Sequence, residues 1–165
     1  MADLLALSSR VIDSGVVDEP VNRISNELSE VADGLAIVES FSHSVVLDAG
    51  EGLVAFDASH ARTGADVAAA IRGWTSTPVT HLVYTHGHAD HVGGSPAFAE
   101  AFGEMTVVGH ANVEARFDRY EYTNDWNVRI NARQFGGVRG DFGMGSTGEF
   151  IPAATLRPDH DVDEH

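Results

Sequence analysis

Val79-Thr80-His81-Leu82-Val83-Tyr84-Thr85-His86-Gly87-His88-Ala89-Asp90-His91-Val92-Gly93-Gly94 is the stretch on which the fold turns. Val79 to Tyr84 is an apolar β-type run opened by Pro78, and its end passes directly into His86, His88, Asp90 and His91. Strand ends are where sites are built, and four ligand-type side chains at His-x-His-x-Asp-His spacing are not explained by solvation. Imidazole nitrogens with a carboxylate oxygen suit zinc or a similar borderline divalent ion. A tight turn can aim His86 and His88 at one ion while Asp90 and His91 face a second, adjacent one. In such a two-metal clamp a water loses its proton near neutral pH and becomes the nucleophile, with Asp90 both binding metal and orienting that hydroxide.

Upstream, Leu35 to Glu39, Ser44 to Asp48 and Leu53 to Asp57 are short β-type runs joined by glycine-bearing turns, a strand meander. Residues 1–33 are polar and weakly periodic, broken by Gly15 and Pro20, and are expected to form an N-terminal arm with one short helix, wrapping the domain without entering its core. Val67, Ile71 and Trp74 fall at helical spacing, so 65–74 is expected to cover one sheet face. Downstream, Ser95 followed by Pro96 starts a helix through Phe102, Met105 to Gly109 is a strand, and a helix follows from about Ala111 to Phe117. Tyr120 to Phe135 is amphipathic enough for another helix. Glycines at 136, 137, 140, 143, 145 and 148 then lead into an acidic end, so 137–165 is expected as loop. The order of elements predicts an α/β domain over 34–136, with a mixed sheet and flanking helices.

The chain has 165 residues, 43% of them hydrophobic, enough for one domain with a real core. It has no cysteine, which excludes disulfides, thiolate metal sites and cysteine nucleophiles. A formal charge of -15, with ten scattered basic residues that are all arginine, argues against a nucleic-acid partner. Neither a secretory leader nor a run of membrane-spanning length is legible, so a soluble cytoplasmic protein is the expectation. Isolated histidines such as His43 and His81 read as packed or solvated side chains. His60 and His110 each follow a strand and read first as polar loop residues, His60 with an option on supporting the site. Asp57 ends a strand, and its carboxylate either bonds the metal loop or caps an ordinary turn.

Thr85 to Gly94, preceded by Gly52 to Asp57, resembles the signature of the metallo-β-lactamase superfamily. Within it, Phe41 to Ser44, Val83 to His86, Arg116 to Tyr120 and Ile130 to Gly136 are similar to the alkylsulfatase-like branch. The resemblance spans roughly Asp13 to Gly136 and implies the N-terminal part of a duplicated αββα sandwich. It makes His86 and His88 ligands of one zinc, and Asp90 and His91 ligands of its neighbour. The family's downstream ligands, a bridging carboxylate among them, have no match; Glu149 and His160 are too isolated to assign. The expected structure therefore has an unpaired sheet edge and an uncovered apolar face.

The resemblance implies a zinc-dependent hydrolase acting on a small-molecule ester, with an alkyl sulfate as the candidate that the softer similarity points to, and with two zinc ions in the complete site or another divalent metal in their place. The alternative is a truncated, non-catalytic metal-binding remnant of such a hydrolase. A homo-oligomer or partner chain that supplies the missing ligands is a third arrangement.

Overall fold

In a computed structural model, residues 3–18, 23–134 and 149–162 are described. The first strands are β1 (Glu27–Ala32), β2 (Leu35–Glu39), β3 (Ser44–Asp48) and β4 (Leu53–Phe56), and they pair antiparallel in sequence order. Then β5 (Val79–Val83), β6 (Thr106–His110) and β7 (His160–Val162) add parallel to β4 and to one another. The described residues thus form one seven-stranded mixed sheet in the order β1 to β7.

The parallel strands need crossovers, and helices supply them. Helix α2 (Gly64–Trp74) links β4 to β5, and α4 (Ser95–Phe102), with Pro96 in its first turn, links β5 to β6. Between β5 and α4 the histidine-rich loop coils into the single turn α3 (Ala89–Val92). Val67, Ala68 and Ile71 of α2 and Phe98 of α4 are buried in one core with Leu28, Ala36, Val38, Val46, Leu53, Ala55, Leu82 and Val107 of the sheet. On the other face Ile37, Val45, Val54, Phe56, Val83 and Val108 stay half-buried, and Leu47 is 40% exposed.

Three expectations are corrected. The arm expected over 1–33 holds helix α1 (Leu4–Ser14), capped by Asp3, but residues 27–32 are β1, with Leu28 in the core. Alternation in Glu27-Leu28-Ser29-Glu30-Val31-Ala32 is masked by its polar members, and pairing with β2 outweighs their weak strand propensity. The helix expected to end near Phe117 continues as α5 (Ala111–Tyr122), and the next expected helix begins only at α6 (Asn124–Gln134). The described part of the expected loop tail is partly built in. Ile151 is buried in the core, the Tyr84 hydroxyl donates to the Leu156 carbonyl at 2.9 Å, and β7 takes the sheet edge beside β6. A three-residue strand with no apolar alternation carries no local signal. The glycine-rich stretch 136–148, expected as loop, lies outside the described residues.

No helix among the described residues is long and apolar enough to cross a membrane.

Candidate metal centre

The candidate ligands sit at the carboxyl ends of β4 and β5, where parallel strands open a crevice between their loops. Asp57 follows β4 with φ +62, and Ser59 has φ +61, left-handed values unusual for residues other than glycine. The bend drives the chain under the histidine-rich loop, where the Ala58 N–H bonds the His91 carbonyl and the Gly94 N–H bonds the Ser59 carbonyl. There Gly94 approaches so closely that an added Cβ would lie 2.0 Å from the Ala58 carbonyl oxygen.

Asp57 is 4% exposed, and its carboxylate organises the loop. Oδ1 accepts the Thr85 backbone N–H at 2.8 Å, while Oδ2 accepts the Thr85 hydroxyl at 2.7 Å and faces His91 Nδ1 at 2.7 Å. This is the bonding alternative for Asp57, not mere turn capping. With Nδ1 held by a carboxylate, the His91 ring has a fixed orientation and its Nε2 is turned to Asp90, 3.5 Å from Oδ2. Burial alone would lower the His91 pKa; the hydrogen bond and charge of Asp57, with Asp90 behind, outweigh it and raise the value.

The other candidates form a second pair. His86 Nε2 and His88 Nδ1 face each other at 2.9 Å, and the His86 ring also lies 4.0 Å from that of His91, tilted at 54°. Burial first, and then the charges of His91 and His88, lowers the His86 pKa. Burial and then Arg116 does the same to His88. Both rings are thereby biased toward the neutral form that binds a cation. The donor set suits a borderline divalent ion: nitrogens and a carboxylate, no thiolate. Its geometry is two pairs, His86 with His88 and Asp90 with His91. Among the described residues no group of three or more His, Asp or Glu side chains is gathered closely enough to hold a metal ion.

The remaining histidines stand apart. His43 Nδ1 accepts the Ser40 N–H in a turn, and His81 lies exposed against the Thr80 hydroxyl. His110 caps α5 through the Asn112 N–H. His60 packs edge-on against Phe41 at 5.4 Å, within reach of the Asp90 charge. Glu149 caps a turn at Ala153, and His160 lies in β7.

Two contacts were not assigned by the sequence. The Ser42 hydroxyl lies 3.1 and 3.0 Å from the two His91 ring nitrogens, and Arg116 Nη2 lies 3.2 Å from His88 Nε2. Both residues sit in motifs quoted above, but nothing local in Phe41-Ser42-His43 or in helix α5 shows that they meet the loop.

Comparison with curated protein sequences finds no match. Among solved structures, a Cronobacter sakazakii metallo-β-lactamase with a HARLDQ motif is similar at 18% identity and TM-score 0.56, over 87% of this chain and 48% of its own. A mutant of that motif from the same organism gives 19% identity and TM-score 0.54, over 84% and 48%. MEM-A1, a subclass B3 metallo-β-lactamase from a soil metagenome library, gives 21% and 0.50, over 57% and 36%. At these identities the likeness is one of fold, and the chain spans about half the length of the Cronobacter structures. The model of one family, described as the metallo-beta-lactamase superfamily, matches residues 37–164, the strand meander, the metal loop and the helices behind it. The chain belongs to the metallo-β-lactamase superfamily.

Proposed function

We propose that this chain is a metal-dependent hydrolase in which His86, His88, Asp90 and His91 hold divalent ions, zinc in the first instance, and that it cleaves a small-molecule ester, an alkyl sulfate being the leading candidate. The observation that carries the reading is the pairing: His86 Nε2 against His88 Nδ1 at 2.9 Å, beside an Asp90–His91 pair whose imidazole is oriented by Asp57. A carboxylate behind a ligand imidazole fixes its tautomer and strengthens it as a donor. The membership of the superfamily, whose members are typically hydrolases, supports the reaction class. The alkyl sulfate rests on the similarity at Phe41 to Ser44 and Arg116 to Tyr120.

A bound ion supplies Lewis acidity, making water acidic near neutral pH and taking up charge that develops on the ester. The chain's own groups do the rest. Asp57 and Thr85 hold the loop at the end of β5, and the Ser42 hydroxyl lies along the His91 ring. Asp90, half-buried, would orient the attacking water through its carboxylate. His60 packs edge-on against Phe41 at 5.4 Å, a ring pair that would suit an apolar part of the substrate.

The test is hydrolysis of a short alkyl sulfate and of a generic chromogenic ester by zinc-supplemented protein. Turnover that disappears in Asp90→Asn and in His88→Ala, with folding retained, is expected. Turnover that survives both substitutions would place the chemistry elsewhere.

A further inference from the structure

We propose that Arg116 is the anion-reading residue of this site, the group that receives the oxyanion of a negatively charged ester. The proposal rests on the hydrolase reading above and adds a specificity-determining residue to it. Helix α5 packs directly on the metal loop because position 87 is glycine; a Cβ there would lie 3.0 Å from Arg116 Cβ and 3.1 Å from its Cγ. The arginine stem therefore rises beside the loop, half-buried, and its guanidinium is held 5.6 Å over the Tyr120 ring with Nη2 at 3.2 Å from His88 Nε2.

Arg157 is clamped by Glu114, Asp118 and Glu121, and Arg23 pairs with the buried Glu39. Arg116 makes no ion pair among the described residues, in a chain of net charge -15. Arg119, one turn further along α5, adds its charge at His88. A planar fork of donors without a carboxylate partner, at the lip of a hydrolytic site, matches an oxyanion.

The contact with His88 also fits a transferable donor. Arg116 has only hydrogens to give, so the bond requires a lone pair on His88 Nε2. His86 and His88 would hold a divalent ion from the side on which His86 Nε2 and His88 Nδ1 face each other, and His88 Nε2 would then carry its hydrogen and leave an Arg116 N–H for an incoming oxyanion.

The experiment compares wild type, Arg116→Ala, Arg116→Gln and Arg116→Lys, with Arg72→Ala, at an exposed position of α2, as a control for net charge. Binding of inorganic sulfate to the zinc-loaded chain is measured by calorimetry, with zinc content and circular dichroism as checks on the site and the fold. Sulfate affinity should fall about tenfold or more in the Ala and Gln variants, recover in part with Lys, and stay unchanged in Arg72→Ala, with zinc content constant. In turnover, KM for an alkyl sulfate should rise while a neutral ester is unaffected. Equal sulfate binding by wild type and Arg116→Ala, or no sulfate binding by wild type, would overturn the proposal even if esters are hydrolysed. Arg116-dependent sulfate binding without any ester turnover would instead uphold the anion site and sink the hydrolase reading.

Discussion

Replacing Asp57 by alanine should be among the most damaging single changes near the site, and its size can be worked from three contacts. The carboxylate, 4% exposed, accepts bonds from the Thr85 N–H, the Thr85 hydroxyl and His91 Nδ1 at 2.8, 2.7 and 2.7 Å. Hydrogen bonds to a charged group contribute about 1.5–3 kcal/mol each. Thr85 is exposed and regains water when released, so the three do not sum. Alanine must also adopt φ +62, a further cost of roughly 1 kcal/mol. The expected loss for Asp57→Ala is about 3–5 kcal/mol, against a total of about 5–15 for a domain. Asparagine tolerates the left-handed backbone and keeps one acceptor, so Asp57→Asn should lose about half as much. Urea unfolding of metal-free protein, followed by tryptophan fluorescence, reads both at unchanged m-value. An alanine variant within about 1 kcal/mol of wild type, or one equal to the asparagine variant, would refute the view that this carboxylate holds the metal loop.

Other outcomes follow from the same geometry. His91 has a raised pKa, so its pairing with Asp57 stabilises fully below the unfolded value of about 6.5 and fades as pH rises through the folded value. The stability difference between metal-free wild type and His91→Gln should shrink from about pH 5.5 to pH 8 in denaturant titrations, and a constant difference would contradict the pairing. His86 and His88, both lowered, act in the opposite sense, stabilising above about 6.5 and losing that contribution as pH falls through their folded values; proton NMR of the three rings should separate them. Gly94→Ala would press a Cβ to 2.0 Å from the Ala58 carbonyl oxygen, where no flexible side chain can yield, and should destabilise by about 3 kcal/mol or more in thermal melts. Gly87→Ala would set a Cβ 3.0 and 3.1 Å from Arg116 Cβ and Cγ and 3.4 Å from Val113 Cα, atoms fixed to the α5 backbone, and should cost about 1–2 kcal/mol while weakening sulfate binding; an unchanged sulfate affinity would count against the packing of α5 on residue 87.

The parts of the fold that carry a local signal were legible. The helix over 65–74, the strand over 79–84 and the Ser95–Phe102 helix correspond to α2, β5 and α4 because their apolar spacing and Pro96 act within a few residues. What was not legible depends on distant partners. β1 is polar on paper and becomes a strand through its ladder with β2, and β7 exists only as the parallel neighbour of β6. At the site, the spacing of His86, His88, Asp90 and His91 named the candidate ligands, and the strand-ending position of Asp57 named their anchor as one of two alternatives. Ser42 and Arg116 were quoted only as parts of motifs. They reach the loop from β2–β3 and from α5, contacts made by tertiary packing across 49 and 28 positions of sequence.

The decisive measurement is the zinc content of the purified chain, by elemental analysis after equilibrium dialysis. Zinc should be retained by wild type, reduced in His86→Ala and His88→Ala, and reduced separately in Asp90→Asn and His91→Gln if the two pairs serve neighbouring ions. Zinc retained at the wild-type level by all four variants, or absent from wild type under saturating metal, would contradict this expectation.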